Sequence, residues 1–380
     1  MDDVPPGPTG PGPRRPALSV VIPVHNGGSD FECCLRRLRE SRGADFEIIV
    51  VDDGSTDDSA VVAARFGATT LTNPVAHGPA SARNDGALAA ESDLVFFLDA
   101  DVAVHPDTIA RALARFEADP GLTALFGSYD DEPAAPGLVS QFRNLLHHFT
   151  HQQGPFAADL RPARTFWTGC GAIRRQAFLD VGGFDPRLYN RPAIEDIELG
   201  YRLTHDGHRI VLARDVLGTH LKRWTLMNVI KTDVFQRGVP WMLLMKRSGE
   251  AESDLNVRSE QKICVAATGL AVIALFLSIR LPQTLIAAAC APLVILGLNL
   301  AFYRFLSVKR GVTFAARSLP LHLIYFACCG SSVVIALAYW HLVLRPGRRR
   351  SAAAGPMGIG RKTISTRQPS GSPGFRRDDR

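Results

Sequence analysis

The segment from Leu94 to Asp101, with the sequence LVFFLDAD, places two carboxylates directly after a run of apolar side chains. The apolar run predicts a buried strand, and in extended backbone residues i and i+2 point the same way. Asp99 and Asp101 could therefore hold one divalent cation between them. Oxygen ligands suit Mg2+ or Mn2+, and such ions commonly serve phosphates, so a nucleotide diphosphate is the first ligand to consider. Alternatively, the two acids only cap the helix predicted after Pro106.

A second acid pair, Asp52 and Asp53, follows the apolar stretch 48–51 and precedes Gly54. The glycine permits a tight turn, and the Ser, Thr and Asp that follow can cap a helix. These structural needs do not explain two successive carboxylates. A carboxylate at this position can accept a hydrogen bond from a base or a ribose hydroxyl, as in dinucleotide-binding folds.

Arg83 lies in the segment GPASARNDG, residues 78–86. Its small residues permit close approach of backbone, and the guanidinium could form paired hydrogen bonds with a phosphate or contact a base. An arginine on a helix is more often a surface residue, so the interpretation of Arg83 as a ligand-binding residue depends on the motifs around it.

Alternating strand and helix patterns surround these residues. Together they predict an α/β domain with a mostly parallel, Rossmann-like sheet. Ligands bind such sheets beyond the carboxyl ends of the strands, where the strand order reverses, so both acid pairs are expected at one crevice. The predicted strands are 18–24, 46–51, 69–72, 94–98 and 123–126, and the predicted helices are 31–40, 59–66, 80–90 and 108–117.

The net charge of +6 does not indicate nucleic-acid binding, because residues 345–380 hold ten Lys or Arg and two Asp. The basic excess belongs to this tail. The seven cysteines form no Cys-x-x-Cys pair, which argues against a zinc site or a disulfide framework and suits a reducing compartment. Residues 1–16 are rich in Pro and Gly and are predicted to be a disordered leader.

Three apolar segments, 263–279, 281–303 and 318–344, occur in the last third of the chain. Membrane-spanning helices need about 20 residues, so the second and third are predicted to span a bilayer, while the first is short. Basic residues between the second and third segments predict that this loop, and with it the N-terminal domain, faces the cytoplasm. Three spans would then place the basic tail outside, unless one segment is re-entrant or interfacial.

Four motifs, in this order and spacing, resemble the family 2 glycosyltransferases with the GT-A fold. The resemblance covers about residues 17–245 and implies an inverting transferase that uses a nucleotide-activated sugar and Mg2+ or Mn2+. It places Asp52 and Asp53 at the nucleoside and Asp99 and Asp101 at the diphosphate and its metal. The motifs are SVVIPVHN (19–26), VVDDGSTD (50–57), ARNDG (82–86) and FLDADV (97–102). The nucleotide-sugar site it implies consists of Pro23, Asn26, Asp52, Asp53, Arg83, Asp99 and Gly169.

Later motifs extend the resemblance to the acceptor side. The string TGCGAIRR (168–175) resembles the family's acceptor-side strand, and IEDIELGYR (194–202) opens a helix. Acids in a first helical turn are expected from the macrodipole alone, but the resemblance implies that Asp196 is the catalytic base, with Glu195 a weaker candidate. His220 resembles a third metal ligand, and a structural role for it stays open.

Two features limit the functional prediction. The string QRGVPW (236–241) departs from the Gln-x-x-Arg-Trp motif of processive members, which favours addition of a single sugar. His147 and His151 lie one helical turn apart, but no further zinc ligands are evident, and an amphipathic helix at the membrane surface is the preferred interpretation. The role of His148 stays open with theirs.

The sequence therefore predicts a membrane-anchored glycosyltransferase at the inner or plasma membrane, with a cytoplasmic catalytic domain. Its partners would be a nucleotide-sugar donor, a lipid-linked or envelope acceptor and membrane lipids. A polyprenyl-phosphate sugar synthase and a catalytically silent sugar-nucleotide-binding scaffold are the alternatives. The predicted divisions are a leader (1–16), a GT-A domain (17–245), a linker (246–262), a transmembrane region (263–344) and a tail (345–380).

Overall fold

The structure, a computed structural model, describes residues 15–249 and 258–344. Most of the predicted leader, part of the predicted linker and the whole predicted tail lie outside the described residues. The chain divides into one compact unit that ends at Leu337 and a second that begins at Ala338. The sheet, the site and the cavities described below belong to the first unit.

In the described part of the chain, nine strands form one mixed sheet with the order β3-β2-β1-β4-β8-β6-β9-β5, and β7 pairs with β9. Strands β1 to β4 run parallel to one another, whereas β8 is antiparallel to both of its neighbours. The chain moves outward from β1 to β3 and then returns to place β4 on the other side of β1, so the strand order reverses there. The strands are Leu18–Val24 (β1), Phe46–Asp53 (β2), Thr69–Asn73 (β3), Leu94–Leu98 (β4), Val102–Val104 (β5), Ala124–Tyr129 (β6), Leu160–Ala163 (β7), Cys170–Arg174 (β8) and Ile210–His220 (β9).

Helices cover both faces of the sheet, and the α/β class predicted from the sequence is confirmed. Strands β1 and β4 are buried on both sides because every one of their apolar residues contacts one of two hydrophobic clusters. Helix α3 packs closely on β1, since a Cβ at Gly86 would lie 2.3 Å from Val21 Cγ1. The helices of this part are Gly28–Arg39 (α1), Ser59–Arg65 (α2), Pro79–Ala89 (α3), Thr108–Ala118 (α4), Leu138–Gln152 (α5), Arg175–Asp180 (α6), Glu195–His205 (α7), Leu226–Lys231 (α8) and Val239–Ser248 (α9), with a π-helix at Thr232–Gly238.

The last third of the described chain is helical. It consists of Ser259–Leu277 (α10), Leu285–Leu298 (α11), Leu300–Arg310 (α12) and Val312–Tyr339 (α13), with a 3₁₀ turn at Pro282–Thr284 and a π-helical turn at Trp340–Leu344. By length and composition, two helical stretches of the described residues could cross a membrane, Ser259–Leu277 and Val312–Leu344.

Residues 281–303, which were predicted to span a bilayer unless one segment is re-entrant, do not form one continuous helix. Helices α11 and α12 meet at a bend of 73°, and they count as a third span only if the bent pair is taken as one. The bend lies at Asn299, whose side-chain amide donates to the Ile295 carbonyl at 2.9 Å. An amide that bonds its own backbone competes with continuation of the helix. The first apolar segment, 263–279, was predicted to be short for a span. The helix that contains most of it, α10, begins earlier, at Ser259, and is long enough to cross a membrane.

Helix α5 forms as predicted, but its apolar face is covered by protein. The rings of Phe142 and Phe149 lie 6.0 and 5.1 Å from the ring of Phe302 on α12. Leu145 belongs to the same cluster. The predicted contact of this face with a membrane surface is therefore replaced by packing against the C-terminal helices.

Candidate active site

A cleft of about 730 Å³ opens beyond the carboxyl ends of β1, β2 and β4, at the reversal of strand order. This is the position at which open α/β sheets bind ligands. Most of the candidate residues line it, namely Pro23, Asn26, Asp53, Arg83, Asp99, Asp101, Glu195, Asp196 and His220. Asp52 and Gly169 are not among its lining residues.

Arg83 lies at the centre of an ion-pair network in the cleft. It donates from Nη2 to Asp99 Oδ1 at 2.7 Å and from Nη1 to Glu195 Oε1 at 2.9 Å. Both Arg83 and Glu195 are buried. Burial alone would lower the pKa of Arg83, but Asp99 and Glu195 outweigh it and raise that pKa. The guanidinium therefore stays charged and fixes β4, α3 and α7 relative to one another.

Asp101 and His220 face each other across the cleft, with His220 Nε2 3.6 Å from Asp101 Oδ2. The other ring nitrogen, Nδ1, lies 2.6 Å from the amide oxygen of Asn144. Because an amide oxygen only accepts, Nδ1 donates to Asn144. Burial would raise the pKa of Asp101, but His220 and Lys222 outweigh it and hold that pKa well below its usual range. Tyr129 stacks on the imidazole at 4.2 Å and fixes its plane.

These residues fit a divalent cation. A histidine whose distal nitrogen is held by a side-chain oxygen is the usual arrangement of a metal ligand, and two carboxylates with one imidazole suit Mn2+ or Mg2+. Within residues 15–249 and 258–344, no three His, Cys, Asp or Glu side chains are already gathered as a metal site. Asp99 is paired with Arg83, so cation binding at Asp99, Asp101 and His220 requires side-chain rearrangement.

Asp196 occupies the first turn of α7 and opens onto the same cleft. Its oxygens accept from the backbone amides of Thr168, at 3.3 Å, and of Ile197, at 2.8 Å. Burial and the neighbouring Glu195 carboxylate raise the pKa of Asp196 to about 7, although Arg83 and Arg237 act in the opposite direction. A carboxylate with such a pKa accepts a proton readily near neutral pH.

The acids after β2 hold the loops that surround the cleft. Asp53 accepts from the amides of His77 and Gly78 at 2.9 and 2.7 Å, and from the Asn73 side chain. Asp52 accepts from the Ser55 amide at 3.0 Å. The loop-forming role of this pair is thus visible in the structure, and of the two only Asp53 lines the cleft.

Several lining residues were not predicted from the sequence. Trp167 and Thr168 precede β8, and the edge of Trp167 lies against Tyr129, with the two ring centroids 4.8 Å apart. Gln236 and Arg237 reach the cleft from the π-helix. Both belong to the string QRGVPW, whose only signal in the sequence is its departure from the spacing of processive members.

His147 and His151 contact each other, as the one-turn spacing predicted, with ring centroids 4.0 Å apart. Burial lowers the pKa of both, for His151 to about 4. Both imidazoles are therefore neutral at pH 7. His148 Nδ1 donates to the Tyr129 carbonyl oxygen at 2.7 Å, so His148 has a structural contact of its own.

Residues 19–182 match the family model described as glycosyl transferase family 2. This match agrees with the resemblance to the family 2 glycosyltransferases that the motifs carry, and the sheet arrangement agrees with the predicted α/β fold.

Among curated relatives, the pre-mycofactocin glycosyltransferase of Mycobacterium tuberculosis is 31% identical over 60% of this chain and 47% of its own length. The validoxylamine A glucosyltransferase of Streptomyces hygroscopicus subsp. jinggangensis is 30% identical over 53% of this chain and 55% of its own length. The chain thus spans about half the length of these relatives. Among solved structures, a mannosyltransferase from Pyrobaculum calidifontis in complex with GDP-Man and Mn2+ is 17% identical, with a TM-score of 0.48 over 84% of this chain and 88% of its own.

Proposed function

We propose that the protein is an inverting glycosyltransferase that moves a single sugar from a nucleotide-diphosphate sugar to a hydroxyl of an acceptor at the membrane. The observation that carries the proposal is the convergence of Asp99, Asp101 and Asp196 on one cleft at the reversal of strand order. The donor would be a UDP-, GDP- or dTDP-sugar. Its nucleoside would lie near Pro23, Asn26 and Asp53.

Asp99, Asp101 and His220 would hold Mg2+ or Mn2+, which supplies positive charge for the departing diphosphate. Lys222 adds a second cation beside this group, since its Nζ lies 3.6 Å from Asp101 Oδ2. Arg83 keeps Asp99 directed into the cleft through its ion pair. Fixed charges of this kind stabilise a leaving group without reorganisation during the reaction.

Asp196 would take the proton of the acceptor hydroxyl while that oxygen attacks the anomeric carbon. Its raised pKa and its place on the cleft wall suit this role. A single in-line displacement inverts the anomeric configuration. Glu195 is engaged by Arg83 and by the Ala193 amide, so its part would be to position Asp196 and α7.

The C-terminal helices support the proposed location at the membrane. Two helical stretches of the described chain are long and apolar enough to cross a bilayer. Lys309 and Arg310, at the end of α12, pair with Asp131 and Glu132 of the catalytic domain. The basic loop and the catalytic domain would therefore share one side of the membrane, which the positive-inside rule assigns to the cytoplasm.

A panel of nucleotide sugars, with and without Mn2+, tests the proposal on the purified full-length protein. Ligands that bind only the native state raise its stability by mass action. At a ligand concentration of about 100 Kd the gain is about 2.7 kcal/mol. We expect one donor to raise Tm in a Mn2+-dependent manner and to release its nucleoside diphosphate slowly. Binding without any release would favour a silent scaffold.

A further inference from the structure

A second cavity, of about 430 Å³, lies between the catalytic domain and the C-terminal helices. Its walls come from α5, α9, α10, α13 and the π-helix. Most of its lining is apolar, with Met242, Met245, Val265, Phe326 and Val333 among the contributing residues. Helices α10 and α13 are the two candidate membrane spans, so the apolar walls are built partly from segments suited to a bilayer.

The two cavities meet at Arg237, which lines both. Arg143 also lines the second cavity, but it is neutralised by Asp233, with Nη2 2.6 Å from Oδ1. In the part of the chain that the structure describes, Arg237 has neither an ion pair nor a hydrogen bond, and it is exposed. An unpaired guanidinium at the junction is a site for an anionic group.

The aromatic and histidine side chains near this junction bear no net charge at pH 7. His147 and His151 line the second cavity, and His147 lies against Trp167 of the catalytic cleft, with ring centroids 4.9 Å apart. Apart from the Arg143–Asp233 pair, the charged lining residues are therefore Arg237 and Lys262, both cations. The cavity is apolar along its length and positively charged at its polar boundary.

We propose that the second cavity binds the hydrocarbon chain of a single-chain lipid phosphate. The phosphate would lie at Arg237, and any group attached to that phosphate would extend into the catalytic cleft toward Asp196. This inference rests on the proposed function, because it assigns the acceptor of that same site. A cavity of 430 Å³ accommodates one hydrocarbon chain, whereas a glycerophospholipid brings two. Affinity rises with each CH2 group that is buried, so chain length sets affinity and Arg237 sets the position of the phosphate.

Lipid binding to the full-length protein in detergent tests the proposal by native mass spectrometry, without donor sugar. The probes are geranylgeranyl phosphate, its alcohol geranylgeraniol, and a two-chain phosphatidic acid. We expect one geranylgeranyl phosphate per chain, bound about tenfold or more tightly than either comparison lipid. Arg237→Gln should remove most of the preference for the phosphate over the alcohol.

Two cavity-filling variants on opposite walls, Val265→Trp and Met242→Trp, should each weaken binding about tenfold or more. Leu270→Trp is the matched control, because Leu270 lies on the same helix as Val265 but is 67% exposed and does not line the cavity. Size-exclusion profiles establish that each variant is folded. The proposal is overturned if both cavity variants bind like the wild type, if the control loses binding equally, or if either comparison lipid binds as tightly as the phosphate. Because no donor is present, these outcomes are independent of the nucleotide-sugar panel, which tests the function itself.

Discussion

Arg83 on α3 donates a 2.9 Å hydrogen bond to Glu195 at the start of α7, although 112 residues separate the two in the sequence. The same guanidinium reaches Asp99 at the end of β4. The carboxylate that follows β4 and the carboxylate that begins α7 are thus joined through one buried cation. This connection explains why an arginine on a helix of small residues belongs to the site and not to the surface.

Replacement of Arg83 by Met should strongly destabilise the protein. Removing one partner of a buried ion pair leaves a buried charge without compensation and costs about 3–5 kcal/mol. For a domain of this size each kcal/mol lowers Tm by about 2–4 °C. Arg37→Met is the control, because Arg37 pairs with Glu40 on an exposed surface and such pairs contribute about 0–1 kcal/mol. Equal changes in Tm for the two variants would contradict the role given to Arg83.

His220→Ala should weaken Mn2+ binding without unfolding the domain. The measurement is the Mn2+ concentration that gives half of the nucleotide-dependent rise in Tm, which should increase about 10–100-fold. His105→Ala is the matched control, since His105 also faces a carboxylate, Asp130, at 2.9 Å, but lines no part of the cleft. A similar Mn2+ requirement for both variants would remove His220 from the cation site.

The rate of transfer should rise with pH through a pKa near 7. Asp196 acts as a base only when ionised, and burial together with Glu195 raises its pKa to about 7. Values of kcat/KM measured from pH 5 to pH 9 should therefore fall on the acidic side and reach a plateau above neutrality. A profile that is flat across pH 6–8 would exclude Asp196 as the base.

The raised pKa of Asp196 also makes stability depend on pH, but in the opposite direction to the rate: stability falls as the pH rises. The native state binds a proton at Asp196 more tightly than the unfolded state, where the pKa is about 3.9, so the stability that this proton contributes is present at low pH. It is lost as the pH rises from about 4 to about 7. In Asp196→Asn this component of the pH dependence of Tm should be absent, and an unchanged dependence would contradict the raised pKa.

Labelling with a membrane-impermeant maleimide in intact cells tests the arrangement in the membrane. Val308 on α12 and Ile279 after α10 are both well exposed, at 84% and 77%. Val308→Cys should stay unlabelled if the catalytic domain, which α12 contacts through Lys309, lies on the proposed cytoplasmic side, whereas Ile279→Cys should be labelled. The reverse pattern would place the catalytic domain outside.

The strands β1 and β4, which border the cleft, were predictable because their apolar runs are nearly uninterrupted. Strand β1 matches its predicted bounds, and β4 does as well. Both are buried on both faces, so period-2 alternation is not needed to detect them. The acids that follow these strands were predictable for the same reason, since the carboxyl ends of parallel strands share one edge.

The features that the sequence did not predict depend on tertiary contacts, which no local sequence pattern contains. Strand β8 inserts between β4 and β6 in antiparallel orientation, and a pairing of this kind is decided by tertiary packing. The bend at Asn299 interrupts a segment whose hydropathy is continuous. Arg237 reaches the cleft from a turn that is widened into a π-helix. The next residue, Gly238, packs closely on Ser332 of α13, because a Cβ at position 238 would lie 2.2 Å from the Ser332 Oγ.

The most direct test of the account is the comparison of Asp196→Asn with Glu198→Gln, using the donor that the panel identifies and a hydroxyl acceptor. Glu198 lies on the same helix, where it is paired with Arg202, so its variant controls for loss of a carboxylate from α7. We predict that NMR shows an inverted anomeric configuration in the wild-type product. Asp196→Asn should lose about 10²–10⁴-fold in rate while Glu198→Gln retains most of its activity. A product with retained configuration, or similar rates for the two variants, would contradict the proposed mechanism.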